Sequence, residues 1–434
     1  MKKTFKYATI VLLIAISFLF ASPPPHSKGP DKDCPVNYIR LNNFTGFSMN
    51  CDAIEYIGAS VNPGYLFQQN YKRQSRPLYL LAGSLAGYSI YYLSYPFHKA
   101  INKKASVYFH NDLPQNKVSL YLSHYAGLVL INLIILIISL LLFEKILHHF
   151  TGSWKNGVWL NIILLILLIS NHVTKTFFWT PHQQMFNTLL PLLCIWLFSS
   201  ILKNNYSISK LCFASLLYGI LLLFYGSFLL LLPIMIIAIL YKHKIILNQS
   251  IFHTIKQLAL PVIIFCLPVI TWIIILKLTG VNFYSWEINY FREFVWITDA
   301  MKSSDRNLPR ELIQNLSIYI KTFAISFFPI SFLAITYVLY KAKPANHLSN
   351  KSKHLNVVFI SVGVIIFIFF WLMGYYTDRL TYTINPVLIC YAAILLNDIK
   401  LRRTKIMIIV LLILCWHIFI LLNETPHFTN RFYY

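Results

Sequence analysis

Polar positions are sparse along this chain, and they are bunched. Between them run apolar stretches at roughly 7–22, 78–97, 119–143, 157–171, 185–202, 211–240, 257–278, 318–340, 356–375, 383–397 and 405–422. Most approach or exceed the ~20 residues that carry an α-helix across a bilayer. None shows the period-2 alternation of a barrel strand, so each is read as a spanning helix. The run 211–240 is long for one helix, and Gly219, Gly226 and Pro233 offer places to break it in two. Counted once, it brings the total to about 11 helices, within a range of about 10–12. The expected fold is all-α and polytopic: a single integral membrane domain over residues 1–434. No separate soluble C-terminal domain is expected after the last run, which is followed by Glu424 to Tyr434.

The polar intervals orient these helices. With the N-terminus in the cytoplasm, the inner loops 98–118, 241–256, 341–355 and 398–404 carry Lys99, Lys103, Lys104, Lys117, Lys242, Lys244, Lys256, Lys341, Lys343, Lys351, Lys353, Lys400, Arg402 and Arg403. The long loop 279–317 instead carries Glu287, Glu293, Asp299, Asp305 and Glu311 against Arg292, Lys302, Arg306 and Arg310. That asymmetry follows the positive-inside rule at both ends of the chain and leaves 144–210 unassigned. The first helix is read as retained, because Phe20 stands where cleavage after Ser22 would want a small residue. Either way, the first loop (23–77) and the loop 279–317 form the extracytoplasmic surface. The N-terminal style fits a bacterial inner membrane.

Composition agrees: 57 % of residues are hydrophobic and 12 % charged, against about 25 % charged in a soluble domain. The net charge of +23 would raise nucleic acid in a soluble chain. Here no nucleic-acid motif accompanies it, and much of it lies in short loops that meet anionic lipids. Five cysteines lie in apolar runs. Cys34 and Cys51 share the first loop and could form a disulfide in an oxidising compartment. No CxxC or HExxH spacing occurs.

The stretch "MNCDAIEYIGASVNPGYLFQQNYKRQSRPLYLL" (49–81) stands apart. Asp52 and Glu55 are followed by Lys72, Arg73 and Arg76 at the foot of the second span. A structural reading makes Asp52 and Glu55 a capping box, with Ala53, Ile54, Ile57 and Ala59 on the membrane surface and the arginines against headgroups. A chemical reading makes Asp52 a proton acceptor and the arginines phosphate ligands, since a planar guanidinium binds phosphate oxygens in pairs. Asp52 with Glu55 could also hold a divalent metal; no other cofactor is indicated.

The order of elements resembles the GT-C class of membrane glycosyltransferases, which use polyprenyl-phosphate-linked sugars. The matching residues are Asp52, Tyr56, Ala59 and Arg76-Pro77-Leu78-Tyr79, then Arg379 and Pro386 in "YYTDRLTYTINPVLICYAAIL" (375–395). "HVTKTFFWTPHQQMFNTLLPLL" (172–193) is similar to a middle segment that often supplies a second acid; His182 is its nearest polar candidate here. The chain departs from the pattern in lacking an Asp-Glu pair, in Arg76 replacing a Pro, and in the Cys-bearing insert of about residues 23–50. The resemblance implies transfer of a sugar from a polyprenyl-phosphate donor to a glycan, lipid or protein acceptor. Asp52 would be the base, and Tyr56, Arg76, His182 and Arg379 would contact substrate; on their own chemistry Glu55 and Arg73 could join them, and Glu287, with Trp286 and Tyr290, could contact a sugar or acceptor or belong to an amphipathic outer-loop helix. Arg379 could equally anchor to headgroups or pair with Asp378. An O-antigen-type polymerase or ligase and a lipid-linked sugar flippase stay open. A flippase needs polar groups within the spans, where the sequence shows mainly Lys277 near a helix end and an isolated His417.

Overall fold

The computed structural model describes residues 2–21, 37–40, 46–49, 51–105, 115–152, 156–203, 207–303, 307–341, 351–399, 401–423 and 431–432. Among them, nine helices are long and apolar enough to cross a membrane: Lys3–Phe20, Val118–Thr151, Gln183–Lys203, Gly226–Ile246, Thr254–Leu278, Leu308–Lys341, His354–Met373, Asp378–Asp398 and Arg403–Leu422. Three shorter apolar helices, Pro77–Leu93, Val158–Ile169 and Ile208–Leu222, pack among them. The all-α polytopic architecture expected from the hydropathy pattern is the one observed.

Two boundaries differ from expectation. The run 211–240 is two elements: one helix stops at Leu222, Tyr225 turns extended, and a 3-10 turn restarts the chain at Gly226–Leu230. Glycine at the restart supports the break, as Gly226 already indicated. The helix beginning at Leu308 also starts well inside the stretch assigned to the loop 279–317. Pro309 sits in its first turn, where a missing N–H costs nothing, and Asn307 caps it by accepting from the Arg310 N–H.

Close packing carries the first loop into place. Helix Pro77–Leu93 lies against helix Val118–Thr151 through glycines: a Cβ on Gly127 would stand 2.6 Å from the Gly87 nitrogen, and one on Gly87 would strike the His124 ring. Small residues let two membrane helices approach this closely. The foot of Pro77–Leu93, which bears Arg76, is thereby fixed. Helix Cys51–Val61 docks beside the pair, burying Ala53, Tyr56, Ile57, Ala59 and Ser60 while Ile54 stays exposed. It is a docked helix, not one laid flat on a membrane surface.

Hydrogen bonds then tie the first loop to the second. Gln74 donates to the Leu66 and Gln68 carbonyls and accepts from the Tyr284 N–H. Trp272 donates to the Gln74 carbonyl at 2.9 Å, and Gln69 donates to that of Gly280 at 2.9 Å. The strand Asn37–Arg40 pairs antiparallel with Gly46–Met49, and Tyr375–Tyr376 pairs with Arg431–Phe432. Cys34 and the Cys51 side chain, hence the expected disulfide, lie outside the described residues.

Candidate functional site

The charged side chains of the first loop converge, but not as a capping box. Arg73 is 5 % exposed and donates through one nitrogen to Asp52 Oδ1 and, at 2.9 Å, to Glu55 Oε2. Its guanidinium also lies over the Tyr56 ring, 4.6 Å from the centroid. A helix spacing of three residues puts Asp52 and Glu55 on one face, so a single guanidinium serves both. Arg73, one of the arginines expected at the substrate phosphate, here bridges the chain's own two carboxylates through one nitrogen and keeps a buried Nε with no partner. It also stands where a cation shared by Asp52 and Glu55 would stand. The pair as built therefore offers no metal site, and no three His, Cys, Asp or Glu side chains among the described residues are grouped to hold one.

His182 reaches Asp52 from the other side. The chain at 171–185 is non-helical in part and is pinned by helix Val118–Thr151: Asn132 donates to the carbonyls of Phe177, Phe178 and Thr180, and Tyr125 donates to that of Trp179. His182 caps the following 3-10 turn by accepting the Gln184 N–H at Nδ1. The proton must then sit on Nε2, which lies 3.3 Å from Asp52 Oδ2 and donates to it. Desolvation lowers the imidazole pKa to about 4 despite the hydrogen bond to Asp52, so His182 is a neutral donor at pH 7. For Asp52, burial pushes the carboxyl pKa up. Arg73, His182 and the more distant Arg379 outweigh that and hold it well below the usual range. With 37 % of its side-chain surface open, Asp52 is an ionised, oriented and reachable carboxylate.

The second arginine is also engaged. Arg76 precedes helix Pro77–Leu93, donates to the Tyr56 hydroxyl at 2.9 Å and pairs with Glu287 Oε1. Glu287 Oε2 accepts from Ser75 at 3.2 Å and Ser285 at 3.1 Å. Burial raises the Glu287 pKa, and Arg76, a backbone hydrogen bond, Arg73 and the Ser285 hydroxyl together outweigh it and lower the pKa. The link Tyr56–Arg76–Glu287 joins the two loops. Beyond it, Trp286 and Tyr290 stack at 4.2 Å with an interplanar angle of 9°, and Lys72 lies 4.7 Å over Trp286.

Arg379 differs from both. It donates to the Tyr375 hydroxyl at 3.2 Å and faces the Phe177 ring 6.0 Å away; its buried Nε, like that of Arg73, has no partner. No carboxylate among the described residues pairs with it. Its backbone is fixed, because Asn187 donates to the Arg379 carbonyl at 2.9 Å while accepting from the Tyr225 hydroxyl at 2.8 Å.

Two comparisons return nothing: no protein-family model and no curated protein matches the chain. Among solved structures it is similar to the crystal structure of the Archaeoglobus fulgidus oligosaccharyltransferase tethered to an acceptor peptide containing the NVT sequon. The likeness has 12 % identity and a TM-score of 0.47, and covers 96 % of this chain and 54 % of that one. The chain thus spans about half the length of that protein, and the functional argument rests on the site itself.

The structure gathers Asp52, Glu55, Tyr56, Arg73, Arg76, His182, Glu287 and Arg379 around one region. Sequence reasoning missed Asn132 and Asn187, which hold His182 and Arg379 in place. An asparagine inside an apolar run is the signal for both.

Proposed function

We propose that the chain is a GT-C membrane glycosyltransferase that moves a sugar from a polyprenyl-phosphate donor to a glycan, lipid or protein acceptor at the extracytoplasmic face of a bacterial inner membrane. One observation carries the reading: an ionised, accessible carboxylate, Asp52, shares a site with an arginine, Arg379, that has no carboxylate of its own. Transfer asks for that pair. The acceptor hydroxyl attacks the anomeric carbon as its proton passes to Asp52. The bond from that carbon to the phosphate oxygen breaks, and its electron pair leaves on the lipid phosphate, whose charge Arg379 stabilises. Arg73 and His182 keep Asp52 ionised and aimed. Tyr56 and Arg76 lock the helix that carries it against the second loop. No step is routed through a metal.

Asp52→Asn keeps the shape and removes the proton acceptor, so transfer is expected to fall by at least a hundredfold with expression unchanged. Mass spectrometry of lipid-linked sugars and envelope glycans in wild-type, deletion and Asp52→Asn cells reads this. A mutant that matches the deletion, with a polyprenyl-phosphate sugar accumulating, supports the assignment. A deletion that alters glycans beside a mutant that does not replaces it with the polymerase, ligase or flippase reading. Arg379→Lys, which keeps charge but loses the planar fork, is expected to weaken donor use about tenfold; unchanged donor dependence removes Arg379 from the phosphate site.

A further inference from the structure

The last helix, Arg403–Leu422, is the least embedded of the nine spans, and only Ile409, Ile413 and Ile420 of its 20 residues are buried. Polar contacts tie its C-terminal end to residues 170–175. Trp416 donates to the Ser170 carbonyl at 3.0 Å, and His417 Nδ1 lies 2.9 Å from the Ser170 hydroxyl. The Lys175 ammonium donates to the carbonyls of Ile420 at 2.8 Å, Leu421 at 2.9 Å and Asn423. Carbonyls at a helix end lack donors of their own helix. An ammonium has three N–H groups, and here each has an acceptor; its charge also complements the negative end of the helix dipole. Lys175 is 4 % exposed and pairs with no carboxylate among the described residues. Burying such a charge is costly, which sets this lysine apart from the exposed caps of ordinary helix ends.

Lys175 stands on the short helix His172–Phe177, which Asn171 caps by accepting the Thr174 N–H at 2.8 Å. Two residues on, the Phe177 ring lies 5.0 Å from the His182 ring and 6.0 Å from the Arg379 guanidinium. Trp179 then donates to the Ala15 carbonyl of the first helix at 2.8 Å, and His182 reaches Asp52. The segment that delivers His182 is thus held by the first helix through Trp179, by Val118–Thr151 through Asn132 and Tyr125, and by the last helix through Lys175. Lys175 is the one charged group among these ties.

We propose that Lys175 is a positioning residue: by capping the last helix it fixes the helix His172–Phe177, and through the Phe177 ring it sets His182 against Asp52. The last helix is then part of the scaffold of the site and not only a span at its edge. The consequence for activity rests on the reading of Asp52 as the base, whereas the placement of His182 does not.

The test labels the full chain in detergent micelles at pH 7 with diethyl pyrocarbonate and reads each histidine by mass spectrometry. His182 is 3 % exposed and His124, inside Val118–Thr151, 0 %, so both should label slowly in the wild type. Lys175→Met removes the three donors at similar length. It is expected to label His182 about fivefold faster, the factor one lost hydrogen bond is worth, with His124 still protected. Farnesyl phosphate, a short lipid phosphate, should bind this variant within about twofold of the wild type, because Asn187 holds the Arg379 backbone separately. Transfer, read on envelope glycans, should fall about tenfold or more. Lys175→Arg keeps the charge and the donors and should restore both labelling and transfer. In a His182→Gln background, adding Lys175→Met should cost no further transfer, since one residue acts through the other.

Unchanged labelling of His182 overturns the proposal. So does equal acceleration at His182 and His124, which marks general loosening, or a further loss of transfer in the double variant. Where Lys175→Met does not fold, Lys175→Gln, which keeps an N–H donor, is to show the same pattern at smaller size. If deleting the protein leaves the glycans unchanged, the glycosyltransferase reading falls, and the labelling still decides whether Lys175 places His182.

Discussion

Two arginine sites in the molecule carry the same charge and use it in different ways. Beside the helix Cys51–Val61 the arginines are paired with carboxylates: Arg73 joins Asp52 to Glu55, and Arg76 joins Tyr56 to Glu287 of the second loop. Arg379 instead donates to the Tyr375 hydroxyl and pairs with no carboxylate among the described residues. A satisfied ion pair fixes geometry and leaves little capacity for a ligand. An unpaired charge is receptive and carries a desolvation cost until something binds. On the proposed reading the paired arginines are the frame and Arg379 the grip, with Asp52 the most open carboxylate of the frame.

Exchanging equivalent residues should break this contrast most sharply. Arg73→Ala leaves two carboxylates facing each other without their cation. The expected loss is about 2–4 kcal/mol of stability, below the full cost of a deeply buried pair because Asp52 is 37 % accessible. Arg379→Ala strands no carboxylate and should cost under about 1 kcal/mol, while abolishing farnesyl phosphate binding. Thermal unfolding in detergent beside binding titrations checks both. Equal destabilisation by the two variants would remove the distinction.

The second loop is fastened to the segment before Arg379, where the Phe294 N–H donates to the Met373 carbonyl at 3.0 Å, and that fastening predicts the next effect. Gly374→Ala demands a left-handed alanine and pushes a methyl group into Trp296. About 2 kcal/mol or more of destabilisation is expected, with the loss concentrated in the loop. Hydrogen exchange at residues 286–302 should accelerate more than exchange in helix Val118–Thr151. Uniform acceleration across both would show that the loop is not an independent clamp.

Acid should weaken the frame rather than the grip. His182 has its folded pKa lowered to about 4 from an ordinary value near 6.5. The unfolded chain therefore binds the extra proton first, and stability falls as pH drops from about 6.5 toward 4. Asp52, also lowered, adds a loss further down as its carboxylate is protonated. Glu293 has the opposite sign: its raised pKa makes the folded state bind more protons, so its contribution is lost as pH rises toward about 8. Unfolding temperatures from pH 4 to 9 should show both slopes, with His182→Gln flattening only the acid one and Glu293→Gln only the alkaline one.

How far the sequence reached follows the same division. Helix content, the position of the frame and the convergence of Asp52, Arg76, His182 and Arg379 were visible in hydropathy and in the order of motifs. Apolar runs and helix-start residues are local signals. The partner of Arg73 was not visible: whether a guanidinium faces a neighbour's carboxylate or a ligand depends on how a loop folds back, and "YKRQSRP" reads the same in both cases. Glu293 was less visible still. Nothing in "NYFREFVW" distinguishes it from the other acids of its loop, because what sets it apart is its place between two left-handed neighbours, Arg292 and Phe294. His417 was misread as isolated for a related reason. Its partners, Ser170 at 2.9 Å and Ser17 at 3.4 Å, are brought to it by distant helices.

The smallest expected effect concerns the rim of the grip. Tyr290 is 55 % exposed and stacks flat on Trp286, which also meets the Phe291 ring edge-on and lies under the Lys72 ammonium. An exposed aromatic pair adds about 0.5 kcal/mol, so Tyr290→Ala should barely move the unfolding temperature. Its consequence should appear in substrate use. A flat aromatic platform next to a cation offers a surface for a sugar ring and its polar edge, and it reaches Arg379 only through Phe291 and Tyr375. Tyr290→Ala should raise KM for the acceptor a few-fold and leave kcat and farnesyl phosphate affinity unchanged, because Tyr290 itself makes no contact with Arg379. A change in phosphate affinity instead would place the platform on the donor side.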